Sequence, residues 1–519
     1  MTSAADWDEV LDPFRARRSQ VRAELGGPDR VAAVRARGRR TVRDRIEELL
    51  DPGTFDEIGT FAWPEGRADE WLPGDGKIGG HGRIDGRAVT VVGDDVTVLR
   101  ASSAVIGNTK VHKLFEQAQR AGNPLVYLGE CGGGRIPDIL GSAGFSRVPG
   151  YLDFARRGRQ IPVALAIVGD SFGASTLLAG LADFTVQVTG TCLAVTSPRV
   201  IEVATGEQVS SEELGGTDVH AKVTGLIDAV AADDPAALAL IRQFLSYLPA
   251  NSAQPPPRGP RPDIGPDPHV LDIVPRDRRR GYDVRALVGR ICDPGTVLEL
   301  KAAFGRSLVT SLGRIAGYPV GIIASQPMHQ AGALTPDGCD KAARLICLCD
   351  AFGLPVVLLQ DTPGFLVGTR PEHQRMVAKA MLFQQAFALA RIPKITVLVR
   401  KGFGLGYYTM GGNDMGGDLL YSWPGAEVGF MDPVVGANVI YADELASLPA
   451  PDRARRRHER ADELAASTDV TGPAGLLKID EIIDPADTRA VLGRALDRFA
   501  ARPPVALADR PLAWWPTSW

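Results

Sequence analysis

Residues 110–133 read KVHKLFEQAQRAGNPLVYLGECGG, and residues 341–364 read KAARLICLCDAFGLPVVLLQDTPG; the pattern that these two stretches share decides the fold. Lysine, glycine, proline and glycine recur at matching places. An Ile-Pro and a Phe-Gly pair then follow each stretch at the same separation (Ile161-Pro162 and Ile392-Pro393; Phe172-Gly173 and Phe403-Gly404). An ungapped repeat of this length predicts that the chain holds two copies of one structural unit.

Outward from these stretches, each copy alternates helical and apolar segments. A predicted helix ends at Gly-x-Pro, an apolar strand and a glycine loop follow, and a second strand after Ile-Pro leads to the Phe-Gly loop. The predicted helices are Lys110–Ala121 and Lys341–Phe352, and the predicted strands are Leu125–Leu128, Val356–Leu359, Val163–Val168 and Ile395–Val399. This alternation predicts an α/β fold with buried parallel sheets. Ligands of such sheets bind beyond the carboxyl ends of the strands, where the glycine loops lie.

Composition bounds the class of protein. The 519 residues are 45% hydrophobic and 23% charged, with a net charge of −4. These values favour a globular chain of two domains and argue against a general nucleic-acid or membrane binder. The six scattered cysteines and seven histidines have no metal-ligand spacing, so no metal is predicted. The N-terminus lacks a signal segment, and we predict a cytoplasmic protein.

Proline divides the chain almost in half. Residues 249–269 are rich in proline, which cannot continue a helix or an interior strand. We predict a semi-rigid linker there, between an N-terminal domain of residues 1–248 and a C-terminal domain of residues 270–519. Residues 8–50 are predicted to be helical and highly charged.

Four glycine loops are the candidates for chemistry. Glycine lets the backbone approach a ligand, and a helix that starts after Gly173 or after Gly404 would offer free N–H groups to a negative oxygen. We therefore predict an oxyanion hole in each copy. The loops contain Gly132, Gly133 and Gly134; Phe172, Gly173 and Ala174; Gly364; and Gly404, Leu405 and Gly406.

Other catalytic patterns are weak or absent from the sequence. Gly169-Asp170-Ser171-Phe172-Gly173 matches the GxSxG nucleophile elbow, but the second copy has Gly402 in place of Ser171. No Walker A motif, helix-opening GxGxxG or HExxH occurs. A site built mainly of backbone donors, without a metal, suits chemistry on a thioester enolate.

The loops and their flanks resemble the carboxyltransferase (β) subunits of propionyl-, acetyl- and methylcrotonyl-CoA carboxylases. The resemblance spans about residues 37–441 and rests on segments such as Arg40-Thr41-Val42-Arg43-Asp44-Arg45-Ile46, Thr205-Gly206-Glu207-Gln208-Val209, Asp361-Thr362-Pro363-Gly364-Phe365 and Trp423-Pro424. It implies two tandem crotonase-like domains related by internal duplication. It also implies biotin on a separate carrier protein, a biotin carboxylase subunit as partner, and a hexamer of stacked dimers.

The resemblance also implies a role for individual residues. The N–H groups of Gly173 and Ala174 would hold the thioester enolate oxygen of an acyl-CoA bound to the N-terminal domain. Those of Gly404, Leu405 and Gly406 would hold the ureido oxygen of carboxybiotin on the C-terminal domain. The enolate would attack CO2 released from carboxybiotin, at the α (or vinylogous) carbon.

Other positions depart from the family pattern or carry two interpretations. Tyr408 stands where the family tunes acyl-chain size, and Glu130-Cys131-Gly132-Gly133-Gly134-Arg135 replaces its usual Asp-Ser-Gly-Gly-Ala-Arg. Arg39, in a cluster with Arg35, Arg37 and Arg40, is a candidate for CoA phosphate, although a run of this kind is more often a solvated helix face. Lys110, with His112 and Lys113, is predicted to start a helix and to contact CoA.

Three functions stay open on the sequence alone. The first is a carboxyltransferase subunit, because the chain has no Met-Lys-Met biotinylation motif and no ATP-binding loop. The second is a biotin-independent acyl-CoA decarboxylase, acyltransferase or hydrolase on the same scaffold. The third is a noncatalytic scaffold subunit of a carboxylase complex. The sequence names neither the acyl-CoA, the physiological direction nor the biotin-bearing partner.

Overall fold

A computed structural model describes residues 4–67, 69–136, 138–263, 265–502 and 505–515 of the chain. The chain forms two compact units that divide between Gln254 and Pro255, here called unit 1 and unit 2. The division falls inside the predicted linker. In the described ranges no helix is long and apolar enough to cross a membrane.

Unit 1 is built on a sheet that runs β1-β2-β3-β4-β5-β7-β9, with a small β6-β8 pair beside it. The first three strands are antiparallel, and the pairs from β3 onward are parallel. The strands are β1 (Asp56–Glu57), β2 (Lys77–Ile84), β3 (Arg87–Asp94), β4 (Leu125–Gly129), β5 (Val163–Ile167), β6 (Ser171–Phe172), β7 (Phe184–Val188), β8 (Leu193–Ala194) and β9 (Ala229–Ala231). The helices are α1 (Ala4–Glu24), α2 (Pro28–Ala36), α3 (Val42–Leu49), α4 (Val105–Ala121), α5 (Gly141–Phe145), α6 (Leu152–Ala155), α7 (Ala174–Leu181), α8 (Pro198–Thr205), α9 (Ser211–Gly215) and α10 (Asp234–Tyr247).

Unit 2 repeats this sheet as β10-β11-β12-β13-β14-β15-β17, with β16 paired to the end of β14. Its strands are β10 (Leu298–Leu300), β11 (Leu308–Ile315), β12 (Tyr318–Ser325), β13 (Val356–Thr362), β14 (Lys394–Phe403), β15 (Leu419–Ser422), β16 (Glu427–Gly429) and β17 (Glu481–Ile482). Its helices are α11 (Val270–Ile273), α12 (Val284–Ile291), α13 (Pro336–Phe352), α14 (Thr369–His373), α15 (Met376–Leu389), α16 (Gly404–Thr409), α17 (Pro433–Ile440), α18 (Ala442–Ala446), α19 (Ala450–Ala465), α20 (Thr471–Gly475) and α21 (Thr488–Phe499).

Burial explains why these apolar runs are strands. Every residue of β4, β5, β13 and β14 is buried, as expected for parallel strands covered on both faces. The helix before β4 ends at Gly122 and the helix before β13 ends at Gly353, with φ of 67° and 74°. Glycine adopts this left-handed conformation without a steric cost, so it ends both helices at the same place.

The internal repeat keeps one constant offset through the middle of each unit, the offset that separates Lys110 from Lys341. The pairs β2 and β11, β3 and β12, and α4 and α13 show this offset at both ends. Towards the ends of the units the offset is larger than in the middle. This holds for the pair α3 and α12 and for the pair β7 and β15. The two copies therefore differ by insertions that lie outside the glycine loops.

The predicted start of the repeated helix is wrong by more than one turn in both copies. Helix α4 begins at Val105 rather than at Lys110, and α13 begins at Pro336 rather than at Lys341. Thr335 caps α13 by accepting a hydrogen bond from the N–H of Gly338 (3.0 Å), with Pro336 in the first turn. The lysines therefore lie in the second turn, where their side chains reach the interior.

The proline-rich segment lies against the units rather than free in solvent. On unit 1, the Asn251 side chain donates to Gly122 O at 3.0 Å. On unit 2, the N–H of Gly259 donates to Gly317 O at 2.8 Å, and Arg261 forms a two-bond ion pair with Asp497 (2.7 Å each). Residues 255–261 are thus part of the packing of unit 2.

Candidate active site

In unit 1 two glycine loops meet at the carboxyl ends of the adjacent parallel strands β4 and β5. Gly132 forms an isolated parallel β-bridge with Phe172, so the two loops run side by side. Gly133 and Gly173 have φ of 97° and 73°, conformations that favour glycine. A Cβ added at Gly173 would lie 3.6 Å from Gly133 Cα. The predicted loops are therefore one continuous backbone surface.

The predicted pair of amides in unit 1 is unevenly available. Helix α7 begins at Ala174, as predicted, and the first N–H groups of a helix have no acceptor within it. The N–H of Gly173, in contrast, donates to Val195 O at 3.2 Å. In this conformation Ala174 is the better placed donor of the two.

Unit 2 has the same loop arrangement at the ends of β13 and β14. Gly364 has a φ of 120°, and Gly404 one of 57°. A Cβ at Gly406 would lie 2.7 Å from Gly364 Cα, and one at Gly404 would lie 3.1 Å from Phe430 O. The predicted reason for these glycines was ligand approach. The structure instead shows that protein backbone already fills the space where a side chain would go.

Two tyrosines on α16 have different environments. Tyr407 is buried and accepts a hydrogen bond at its carbonyl from the Gln360 side chain (3.2 Å). Burial also raises the pKa of Tyr407. Tyr408 is 39% exposed, and its ring lies 5.3 Å from that of Tyr407 in an edge-on arrangement. Tyr407 is thus part of the packed interior, and of the two tyrosines only Tyr408 has a ring exposed enough to contact a ligand.

Comparison with known proteins decides the family. A model described as the carboxyl transferase domain matches residues 33–506. The methylmalonyl-CoA carboxyltransferase 12S subunit of Propionibacterium freudenreichii subsp. shermanii is 35% identical over 493 residues, with 94% of each chain covered. The chain belongs to the carboxyl transferase family. A further relative, the propionyl-CoA carboxylase carboxyltransferase subunit of Haloferax mediterranei, is 34% identical over 499 residues, which cover 93% of this chain and 94% of that one.

Solved structures agree with this assignment. The transcarboxylase 12S crystal structure with methylmalonyl-CoA and methylmalonic acid bound has a TM-score of 0.87 at 35% identity, covering 94% of this chain and 95% of that one. A single-chain, multi-domain long-chain acyl-CoA carboxylase has a TM-score of 0.84 at 31% identity, covering 95% of this chain and 49% of that one. The predicted family, the crotonase-like α/β fold and the carboxyltransferase activity on acyl-CoA with biotin are confirmed.

In this carboxyltransferase the serine-nucleophile interpretation finds no support. A nucleophile elbow presents its serine to the substrate at an exposed turn. Ser171 instead lies in strand β6 with no exposed surface, and its carbonyl accepts from the Thr176 hydroxyl at 3.0 Å. Asp170 is likewise engaged, accepting from the N–H of Cys192 at 3.1 Å. Phe172 is buried.

A buried carboxylate lies at the carboxyl end of the strand before each glycine loop, just after β4 in unit 1 and within the last two residues of β13 in unit 2. Sequence reasoning missed its role. In unit 1, Glu130 pairs with Arg45 (2.7 Å) and Arg39 (2.8 Å). In unit 2, the equivalent Asp361 pairs with Arg400 at 3.0 Å, and Lys401 lies 3.5 Å away. These ion pairs fix the start of each loop. The regular offset between Glu130 and Asp361 was the one available signal.

Most arginines of the basic cluster predicted to bind CoA phosphates are already in ion pairs within the chain. Arg39 is engaged with Glu130, Arg35 pairs with Asp44 at 3.3 Å, and Arg40 pairs with Glu48. Among residues that the structure describes, Arg37 has no side-chain partner. The cluster is therefore mostly internal pairing, and phosphate contact by Arg39 stays a prediction.

The repeated lysines are interior groups of the carboxyltransferase. The ammonium of Lys110 donates to Gly59 O (3.1 Å) and Lys77 O (2.8 Å), and burial lowers its pKa to about 8. That of Lys341 donates to Lys301 O (3.3 Å) and Phe304 O (2.7 Å), and burial lowers its pKa to about 7. The CoA contact of Lys110 stays a prediction, and the Lys110 ammonium already donates to two backbone carbonyls.

No metal site is visible in the described ranges, where no group of three or more His, Cys, Asp or Glu is placed to hold an ion. The six cysteines are all free and buried.

Proposed function

We propose that unit 1 binds the acyl-CoA and that the loops around Gly133 and Gly173 surround its thioester. The observation that carries this proposal is the single backbone surface formed by these two loops at the strand ends, in a chain of the carboxyl transferase family. Ala174 supplies the first N–H group to the thioester oxygen, which becomes negative when the α-proton leaves. One such donor contributes about 2.7–4 kcal/mol to a developing oxyanion in a well-ordered site.

The second donor, the N–H of Gly173, requires a small rearrangement. It now donates to Val195 O, and Val195 is an exposed residue that follows the two-residue strand β8. We propose that the Val195 carbonyl moves away when substrate binds, so that Gly173 joins Ala174. Strand β8 is held to β6 over only two residues, which favours such a movement.

In unit 2 we propose that the loops around Gly364 and Gly404 hold the ureido group of biotin on its carrier. The N–H groups of Gly404, Leu405 and Gly406 lie in the first turn of α16, where a helix has no internal acceptors for them. Leu405 is 64% exposed, which leaves this turn accessible. Carboxybiotin, when bound, would supply the carboxyl group from its ureido nitrogen. The chain's own residues orient its ring and shield the site.

Tyr408 is the residue that we propose affects selectivity among acyl-CoA substrates. Its half-exposed ring stands on the same short helix as Gly404. The acyl group must come to the carboxyl group held at this turn for transfer to occur. We propose that Tyr408 limits the space for that acyl group or donates its hydroxyl to a polar one, as an aromatic residue with one polar end can.

A solved relative supports a proposal about assembly. The transcarboxylase 12S structure is a hexamer assembly that forms a multienzyme core. We propose that this chain also forms a hexamer, works with a biotin carboxylase and a biotin carrier in the cytoplasm, and carries neither activity itself.

A direct assay separates the proposed function from its alternatives. The full chain would be given methylmalonyl-CoA with a labelled free carboxyl group, together with free biotin. Transfer of the label to biotin is the expected result. Release of labelled CO2 without carboxybiotin would instead identify a decarboxylase, and release of free CoA with the label retained on the acyl group would identify a hydrolase or acyltransferase. The absence of all these products would favour a scaffold subunit.

A further inference from the structure

A strained turn lies against the Gly132 loop of unit 1, which we propose binds the acyl-CoA. Leu99, Arg100 and Ala101 have φ of 48°, 56° and 51°, three successive non-glycine residues in the left-handed region. Side chains clash with the backbone in this region, so single residues are uncommon there and three in a row more so. Such outliers concentrate at functional sites, where the surrounding structure holds them in place.

Contacts with the glycine loop hold this turn. The N–H of Gly132 donates to Arg100 O at 2.9 Å, and Ala101 O accepts from the buried Lys77 ammonium at 3.1 Å. The Cys131 thiol also donates to Ala101 O, at 3.3 Å. A Cβ added at Gly132 would lie 3.2 Å from Arg100 Cβ and 3.7 Å from Arg100 Nε. The Arg100 side chain therefore runs directly across Gly132.

Arg100 differs from the other arginines near this loop. Arg39 and Arg45 pair with Glu130, and Arg135 pairs with Asp75. Arg100 is exposed, and within the described part of the chain its guanidinium has no hydrogen-bond or ion-pair partner. A strained backbone thus carries a free cation to the edge of the loop.

The place of Arg100 identifies the part of the substrate within its reach. Gly132 bridges Phe172, and Gly133 lies against Gly173, next to the proposed oxyanion donors. An anion near these amides is close to the thioester. The phosphates of CoA lie at the far end of a long pantetheine arm, so a carboxylate on the acyl group fits this position better.

We propose that the Arg100 guanidinium binds a carboxylate on the acyl group of the acyl-CoA, which is a specificity role that rests on the function proposed above. An arginine fork matches a carboxylate with two parallel hydrogen bonds. The carboxylate is either the one that carboxyl transfer adds or one that the acyl group already carries. The equivalent turn in unit 2 has Ala331 in this position, with φ of 54°, so unit 1 alone carries the charge.

Binding of three ligands tests the assignment. Isothermal titration of the full chain would compare CoA, propionyl-CoA and methylmalonyl-CoA, which differ in the acyl group and in its carboxylate. Arg100→Gln should weaken methylmalonyl-CoA binding about tenfold, or about 1.4 kcal/mol, and leave CoA and propionyl-CoA within about twofold. Arg100→Lys should recover part of the loss. Succinyl-CoA, whose carboxylate is further along the acyl chain, distinguishes an added carboxyl from a pre-existing one.

Two further variants separate binding from folding. Arg100→Gly relieves the backbone strain, so its Tm should equal or exceed that of the wild type while the preference for methylmalonyl-CoA is still lost. Ala331→Gly relieves the equivalent strain in unit 2 and should leave all three affinities unchanged.

The outcomes that overturn the proposal are distinct. Equal weakening of all three ligands would place Arg100 at a phosphate, and unchanged affinities would remove it from the site. If the wild-type chain bound none of the three ligands, the proposed acyl-CoA function would fail, and the role of Arg100 with it.

Discussion

Gly169 and Arg400 occupy the same position in the two units, and they determine how each buried carboxylate is neutralised. In unit 2, Arg400 itself pairs with Asp361 at 3.0 Å. In unit 1, Gly169 has no side chain, and the guanidinium of Arg39 from the N-terminal segment occupies the space beside the carboxylate. A Cβ at Gly169 would collide with the guanidinium of Arg39 and the carboxyl group of Glu130. The two copies thus neutralise the equivalent carboxylate with cations from different parts of the chain.

This relationship predicts the effect of a small substitution. Gly169→Ala should separate Arg39 from Glu130 and lower the free energy of unfolding by about 1–2 kcal/mol, since Glu130 would keep Arg45 as its partner. Arg39→Met should have a similar effect, and the double variant should lose little more, because both changes break the same pair. Urea unfolding measures all three. Gly150→Ala is the control, since nothing lies within 4 Å of its added Cβ. Additive losses would show that Gly169 does not act through Arg39.

Gly406→Ala tests the loop contact in unit 2. Its Cβ would lie 2.7 Å from Gly364 Cα, so α16 must shift and carry the proposed biotin-binding amides with it. We expect at least a tenfold loss of carboxyl transfer to free biotin, with the same oligomeric state as the wild type by light scattering. Gly425→Ala, with open space around the new methyl group, should retain full activity. A normal rate in Gly406→Ala would exclude this turn from the site.

Tyr408→Asp should change the choice of acyl group. Replacing the half-exposed ring alters the shape and polarity of the proposed pocket, and such changes shift selectivity by about 1–3 kcal/mol. We expect the ratio of kcat/KM values for acetyl-, propionyl- and longer acyl-CoAs to change about tenfold. The Tm should stay constant, because the exposed Tyr408 ring contributes little to the hydrophobic core. If the kcat/KM values of all substrates moved in parallel, Tyr408 would serve only as packing.

Lys341 predicts a pH dependence of stability. Its pKa is about 7 in the folded chain and about 10.4 in an unfolded one. Between pH 7 and 10 the unfolded chain therefore binds more protons, so stability rises with pH, by up to about 1.4 kcal/mol per unit. Lys341→Met should remove this rise. The free-energy difference between wild type and variant should grow in favour of wild type by about 2 kcal/mol from pH 7 to 9.

A matched control is available for this measurement. Lys113 is exposed on the equivalent helix of unit 1, and Lys113→Met should give a curve parallel to that of the wild type. Parallel curves for Lys341→Met as well would mean that Lys341 keeps an ordinary pKa in the folded chain.

The repeat made much of the fold predictable. Glycine at positions 122 and 353, and lysine at positions 110 and 341, gave the register of two helices and two strands, because glycine caps and buried runs are local signals. The start of α4 was missed because Ala104 carries no capping side chain to mark it. The start of α13 did have a local signal, Thr335 followed by Pro336.

The site was predicted only in outline. The loops and the helix after Gly173 follow from local glycine patterns. The Glu130 pairs join residues 85 positions or more apart along the chain, and no spacing in one sequence indicates them. The bond from Gly173 to Val195 depends on the pairing of two very short strands. Left-handed φ at Arg100 has no sequence signal, because the usual marker of that conformation is glycine.

The docked proline segment has a practical meaning for dividing the gene. A second half that began at residue 270 would lack Gly259 and Arg261 and would leave Gly317 O and the Asp497 carboxylate without these partners. A first half that ended at residue 248 would lack Asn251, which bonds the glycine cap of α4. Expression of the halves as separate polypeptides therefore calls for a cut between codons 254 and 255.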